Sequence, residues 1–216
     1  MTATRGRIDK RQAILDAAFT VFAERGYDQA CVREIASAAG VAKPTVYNHL
    51  SDKATLFRSA LRAAADEVGA VCAAAVEPLR DAADVPRALT ETAQLLLAAC
   101  SDERPRALRR LALSGSTAFP ELLDEIQDAT SVRLRSALAD RLARLTLAGQ
   151  LRTPDPDIAA DQLLALLTGV LESRSRLGSR ELPAAELDTI ATAAVRTFLS
   201  AYGTPGETPE PAAGPV

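Results

Sequence analysis

Tryptophan is absent from this 216-residue chain, histidine and methionine occur once each, and the eight aromatics are all phenylalanine or tyrosine. These scarcities exclude classes of function. With His49 the only imidazole, no histidine-based metal site can be assembled. No Glu-x-x-His motif is present, and no histidine–cysteine set or convergent carboxylates stand ready for an enzyme built on a helical bundle. No catalytic residue, metal or cofactor is therefore expected. Cysteine occurs three times, at Cys31, Cys72 and Cys100. An odd number without metal-ligand spacing fits buried free thiols in a reducing cytoplasm better than a redox switch. No apolar run approaches the roughly 20 residues of a membrane span, and the N-terminus lacks an apolar signal-peptide core. No membrane partner is expected, and the cytoplasm is the expected location.

Alanine and leucine supply most of the 48% apolar content. β-branched residues are sparse and strict alternation is missing, so the fold class expected is all-α. Charge is unevenly placed. Residues 1–60 carry nine basic and six acidic side chains, net +3, and hold all three lysines. The remainder carries sixteen against twenty-two, net −6, giving the overall −3. A basic end on an acidic body suits a protein that touches nucleic acid at one place only.

The most informative stretch is Val32–Phe57. Val32, Ile35, Ala36 and Ala39 mark one face of a short helix. Gly40 supplies the positive φ that stops it, and Pro44 stands where a second helix would begin. That helix, Pro44–Leu50, turns Val46 and Leu50 inward and leaves Lys43, Thr45, Tyr47, Asn48 and His49 on its other face. Two helices around a glycine turn, the second polar and locally basic, describe a helix-turn-helix whose second helix enters the DNA major groove. Upstream, Ile8–Arg25 is an amphipathic helix closed by Gly26, which completes a three-helix headpiece. Met1–Arg7 is a basic arm. The run I-A-x-x-A-G-V, followed by Tyr47, His49, Lys53 and Leu56-Phe57 and preceded by Gly26-Tyr27-Asp28, resembles the signature of the TetR family of transcriptional regulators.

Several roles follow. Arg33 approaches the DNA backbone in that resemblance. Lys43 and Thr45, at the leading end of the recognition helix beside Pro44, are candidates for reading base edges. Tyr47 and Lys53 are phosphate contacts, His49 is a backbone contact or a structural residue, and Asn48 suits adenine or phosphate. Glu34 is expected to reach back to the Cys31 N–H as half of a capping box. Cys31, Ala42 and Pro44 depart from the family pattern, which favours Thr or Ser, Ser, and Gly there.

Past the headpiece the helical stripes continue. Ser51-Asp52 caps a helix that ends before Pro78; further helices follow from Asp84 to Cys100, from Ser101 to Gly115, and from Glu121 to Ala148. The last two, Pro156–Leu177 and Ala184–Tyr202, bring the total to about nine and carry more apolar surface than one inner face needs. Residues 1–55 are expected to form the helix-turn-helix domain, 56–202 an effector-binding and dimerisation bundle, and 203–216 a disordered tail. The TetR resemblance implies a homodimer joined through the final helices, with Leu163, Leu167, Val170, Leu171, Leu187, Ile190, Ala194 and Phe198 at the interface. The alternative is that both are merely central helices. The resemblance also implies a small-molecule effector among the middle helices. Leu96, Cys100, Arg109, Leu113, Phe119, Leu122 and Ile126 are the expected lining, suited to an apolar or amphipathic ligand.

The function expected is a ligand-responsive repressor that binds a palindromic operator on double-stranded DNA as a dimer. Its rivals are an effector-independent architectural DNA-binding protein and a helical scaffold that has lost DNA binding.

Overall fold

The computed structural model describes the backbone of residues 2–204 and side chains from Lys10 onward. Met1, the side chains of the basic arm, and the tail beyond Thr204 lie outside the described residues. Ten α-helical segments run in order: α1 (Thr2–Gln29), α2 (Val32–Ala38), α3 (Lys43–His49), α4 (Lys53–Ala74), α5 (Val85–Ser101), α6 (Glu103–Gly115), α7 (Pro120–Gln127), α8 (Arg133–Leu147), α9 (Pro156–Arg174) and α10 (Ala184–Tyr202). No strand occurs among the described residues; Leu151 and Gly203 form an isolated bridge.

Local chemistry accounts for most of the helix ends. The carboxylates of Asp52, Asp84 and Asp155 accept from the backbone N–H groups of Thr55 (2.7 Å), Arg87 (3.0 Å) and Ile158 (3.1 Å), satisfying donors that a helix start leaves free. Gly40, at φ +65, makes the turn between α2 and α3, a conformation costly to any residue with a Cβ. Gly26, at φ +73, breaks α1 as expected, although helical backbone begins at Thr2 and not at Ile8. The expected single helix Glu121–Ala148 is interrupted by a π segment at Asp128–Val132. There the Thr130 hydroxyl donates to the Ile126 carbonyl (2.7 Å), taking an acceptor that the α-helical ladder would use.

The chain forms two compact units. The first joins residues up to Gly69 with Glu103–Thr130, so the helix-turn-helix segment shares a core with α6 and α7. Phe22, Ile35, Val46, Phe57, Leu61, Leu111 and Leu122 are buried in it. Phe57 is fully buried, with its ring centroid 4.9 Å from Phe22, 4.9 Å from Tyr27 and 5.3 Å from Phe119. Such aromatic contacts add about 0.5–1.5 kcal/mol each beyond area burial. Arg62 pairs with Glu125, and Arg104 bridges Asp16 and Glu67. These pairs lie near the surface and stabilise little individually.

The second unit comprises Ala70–Asp102 and the chain from Ser131 on. In it α10 packs on α5 and α9, and α8 packs on α9. Leu89, Leu97, Leu138, Leu142, Leu163, Leu167, Ala191 and Phe198 are each 1% exposed or less.

Candidate nucleic-acid interface

The candidate site begins with the two sides of α3. Val46 and Leu50 are buried, at 1% and 4% exposure, and anchor the helix to the first unit's core. Because they are four residues apart, the residues between them turn outward. Lys43, Pro44, Tyr47 and Asn48 are exposed, while Thr45 and His49 are half-buried. Tyr47 is 42% exposed and the Lys43 ammonium lies 5.7 Å from its ring centroid. The outward face therefore presents one ammonium, two hydroxyls and an amide, with no carboxylate among them.

Ala42 offers no side-chain cap, and the Thr45 N–H donates instead to the Ala42 carbonyl (2.8 Å). A backbone turn thus closes the front of α3 where a serine would otherwise cap it. Arg33 is exposed on α2. Two local expectations require correction. Cys31 is exposed and not buried, because it occupies the extended position before α2. The backbone N–H of Arg33, followed by that of Glu34, holds its thiol pKa below the ordinary value. Glu34 pairs with Arg25 at 3.3 Å, the long-range cation competing with the expected local cap.

Lys53 is more constrained than a solvated surface lysine. Its ammonium donates to the Asp28 carbonyl (2.9 Å) and stands 4.9 Å from the centroid of the Tyr27 ring. Tyr27 and Asp28 therefore position Lys53, a role not read from the sequence, although the Gly26-Tyr27-Asp28 run marked the place. Asp52 is held below the usual carboxylate range chiefly by the Thr55 N–H and then by the Thr55 and Ser51 hydroxyls. It fixes the first turn of α4, on which Lys53 sits.

The remaining candidates are distributed differently. Of the residues expected to line an effector pocket, Leu96 and Cys100 belong to the second unit and the other five to the first. Phe119, Leu122 and Ile126 are buried in the first unit's core, and Leu113 is 61% exposed. The second unit has a cavity of about 430 Å³ lined by Leu79, Arg80, Asp81, Arg141, Arg144 and Leu145 among others, none of them anticipated. Its cations are already matched, Arg141 by Glu77 at 2.9 Å and Arg144 by Asp140 at 2.9 Å. Of the residues expected at a dimer interface, Leu163, Leu167, Leu171, Ile190, Ala194 and Phe198 are buried within the protomer. Leu187 is half-buried and Val170 is 37% exposed.

A helix anchored by two aliphatic side chains, with a cationic, hydroxyl-rich outer face behind a glycine turn, defines a helix-turn-helix DNA-binding protein. Comparison with known proteins gives the family. Residues 14–60 match the description "Bacterial regulatory proteins, tetR family", and residues 87–204 match "AefR-like transcriptional repressor, C-terminal domain". A helix-turn-helix-type transcriptional repressor of Mycobacterium tuberculosis is 31% identical over 87% of this chain and 94% of its own. A TetR-family transcriptional regulator from Mesorhizobium loti superposes with a TM-score of 0.85 at 32% identity, covering 92% of this chain and 98% of that one. The SmeT–triclosan complex, SmeT being a repressor from Stenotrophomonas maltophilia, superposes with a TM-score of 0.66 at 27% identity, covering 95% of this chain and 100% of that one. The chain belongs to the TetR family, as a DNA-binding transcriptional regulator and not an enzyme. Among the described residues no helix is long and apolar enough to cross a membrane.

Proposed function

We propose that this regulator is a cytoplasmic repressor that binds a palindromic operator as a homodimer and leaves it when a small-molecule effector binds. The observation that carries the proposal is the division of α3 into an anchored face and a carboxylate-free outer face. Lys43 and Thr45 at its leading end read base edges, with Asn48 as a further contact. Tyr47, Lys53 and Arg33 hold phosphates, and His49 flanks them. Pro44 sets the entry of the helix and contributes no N–H.

One such headpiece reads few base pairs. Two copies related by a two-fold axis read half-sites about 34–36 Å apart or a multiple of it, which brings useful specificity. The dimer face lies on α9 and α10. Most of the apolar residues first assigned to it serve the protomer's own core, so the contact uses Val170 and Leu187 with exposed neighbours such as Ile158 and Ala165. Repression is supported by the Mycobacterium tuberculosis relative, and the binding of a small molecule by the SmeT–triclosan complex. An effector must favour the released state by its differential affinity, typically 1–3 kcal/mol of coupling.

Selection of bound duplexes from a random pool tests the reading. A two-fold symmetric consensus is expected, and an apolar probe such as triclosan should weaken binding to it. A consensus without symmetry, or weak preference for any sequence together with indifference to ligands, would instead establish an effector-independent architectural protein.

A further inference from the structure

The cavity of the second unit lies in the path of the chain that follows α10. There Gly203 pairs with Leu151 in the antiparallel sense, and the Arg152 N–H donates to the Tyr202 carbonyl (2.8 Å). The Arg152 side chain adds a bond from Nε to the Gly203 carbonyl (3.2 Å). In an antiparallel pair, the residue after Gly203 lies toward the residue before Leu151. That residue is Gln150, which lines the cavity. The chain therefore leaves the bridge travelling toward the cavity and not away from it.

Charge points the same way. Residues 205–216 carry Glu207 and Glu210 and no basic side chain. The cavity lining has one carboxylate, Asp81, against the guanidiniums of Arg80, Arg141 and Arg144. Glu77 serves both Arg80 (3.1 Å) and Arg141 (2.9 Å), and Asp140 takes Arg144 (2.9 Å). These pairings engage one or two of the five N–H groups on each guanidinium, so donors remain for a further carboxylate. Arg141 is held in place with its side chain 16% exposed, whereas those of Arg80 and Arg144 are 58% and 68% exposed and can turn to an arriving anion. We infer that this cavity is a docking site for the chain's own acidic segment 205–210, with the Glu207 and Glu210 carboxylates accepting hydrogen bonds from Arg80 and Arg144.

Reach and size agree with that occupant. Glu207 and Glu210 stand three and six residues past Thr204, so extended backbone carries them as far as about 10 and 20 Å from it. A cavity of about 430 Å³ has room for carboxylate side chains but not for a helix, whose diameter is about 10 Å. Charge pairs at so exposed a site are weak. A short tether compensates, because its effective concentration is on the order of millimolar and a contact of millimolar strength is then formed about half the time. The docked segment would exclude other small anions from the cavity. None of this depends on the operator or the effector.

The test uses the full chain and phenylglyoxal, which modifies accessible guanidinium groups, with the rate followed at each arginine by peptide mass spectrometry. In Glu207→Gln with Glu210→Gln, Arg80 and Arg144 should react about twofold or more faster than in the unaltered chain, and Arg33 of the first unit at the same rate. Salt at about 0.5 M should erase the difference. In the reciprocal variant, Arg80→Gln with Arg144→Gln, a glutamate-specific protease should cleave after Glu207 faster by a similar factor. Equal arginine rates with and without the two glutamates would overturn the inference. So would protection that disappears on dilution, which would assign the contact to the segment of another chain, or protection that appears only with added acetate, which would assign the cavity to a free anion.

Discussion

Gly69→Ala should destabilise the protein, although alanine is the better helix former. Gly69 lies inside α4, away from its ends, and a Cβ built there would stand 2.0 Å from the carbonyl oxygen of Ala129 and 3.1 Å from its carbonyl carbon. Both are backbone atoms, in the π segment after α7, so no side chain can swing aside. Ordinary contact would require the two backbones to part by about 1 Å or more. Overpacking of a close-packed core costs about 1–3 kcal/mol, and a backbone clash belongs at the upper end or beyond. Helix propensity returns about 1 kcal/mol. The net loss is therefore about 2 kcal/mol, or some 4–8 °C in the melting midpoint of a chain this size. Thermal and urea unfolding of the two proteins measure it directly. Ala129→Gly should not rescue the variant, since the obstacle is the carbonyl and not the methyl of Ala129. An unchanged or raised midpoint for Gly69→Ala would show that α4 and the π segment do not approach as described.

Further outcomes follow from the same geometry. Among the described residues the buried Thr92 hydroxyl has no hydrogen-bond partner, so Thr92→Val should raise stability by about 1 kcal/mol in urea unfolding, and a loss of stability would contradict this. Asp52 has a depressed folded-state pKa, so its contribution is present above the unfolded carboxylate value, near pH 4, and is lost as pH falls through the folded value. Asp52→Asn should flatten the acid limb of stability against pH, and an identical limb would contradict the capping role. Lys43→Ala or Thr45→Ala should relax preference at defined bases by about 1–3 kcal/mol in competition binding. Tyr47→Phe and Lys53→Ala should instead weaken all sites alike, the lysine change lowering the salt dependence by about one ion.

Local signals were legible and long-range ones were not. Gly40, Pro44, Asp84 and Asp155 act within a few residues of themselves, and their turns and helix starts fall where the sequence placed them. The split between Val46 and Leu50 inside and Tyr47 outside follows from helical period alone. Apolar period also marked Leu163, Ile190 and Phe198, which were expected at a dimer interface and are buried within the protomer. It carried no information on whether the covering surface belongs to the same chain, and here it does. The partners of Glu34 and Lys53 depend on tertiary approach, Lys53 meeting a carbonyl 25 residues away in sequence. The half-capping box failed for the same reason. Arg25 arrives from α1, nine residues away in sequence, and Glu34 turns to it at 3.3 Å.

The central claim is that the outer face of α3, carried in two copies, grips duplex DNA. The most direct measurement is the mass of the complex formed with the selected duplex at low salt, by sedimentation or native mass spectrometry, for the unaltered chain and for Tyr47→Phe with Lys53→Ala. Two chains per two-fold symmetric site, or a multiple of two, with the complex lost in the double variant, is the predicted result. One chain per duplex, or full retention by the double variant, would contradict it.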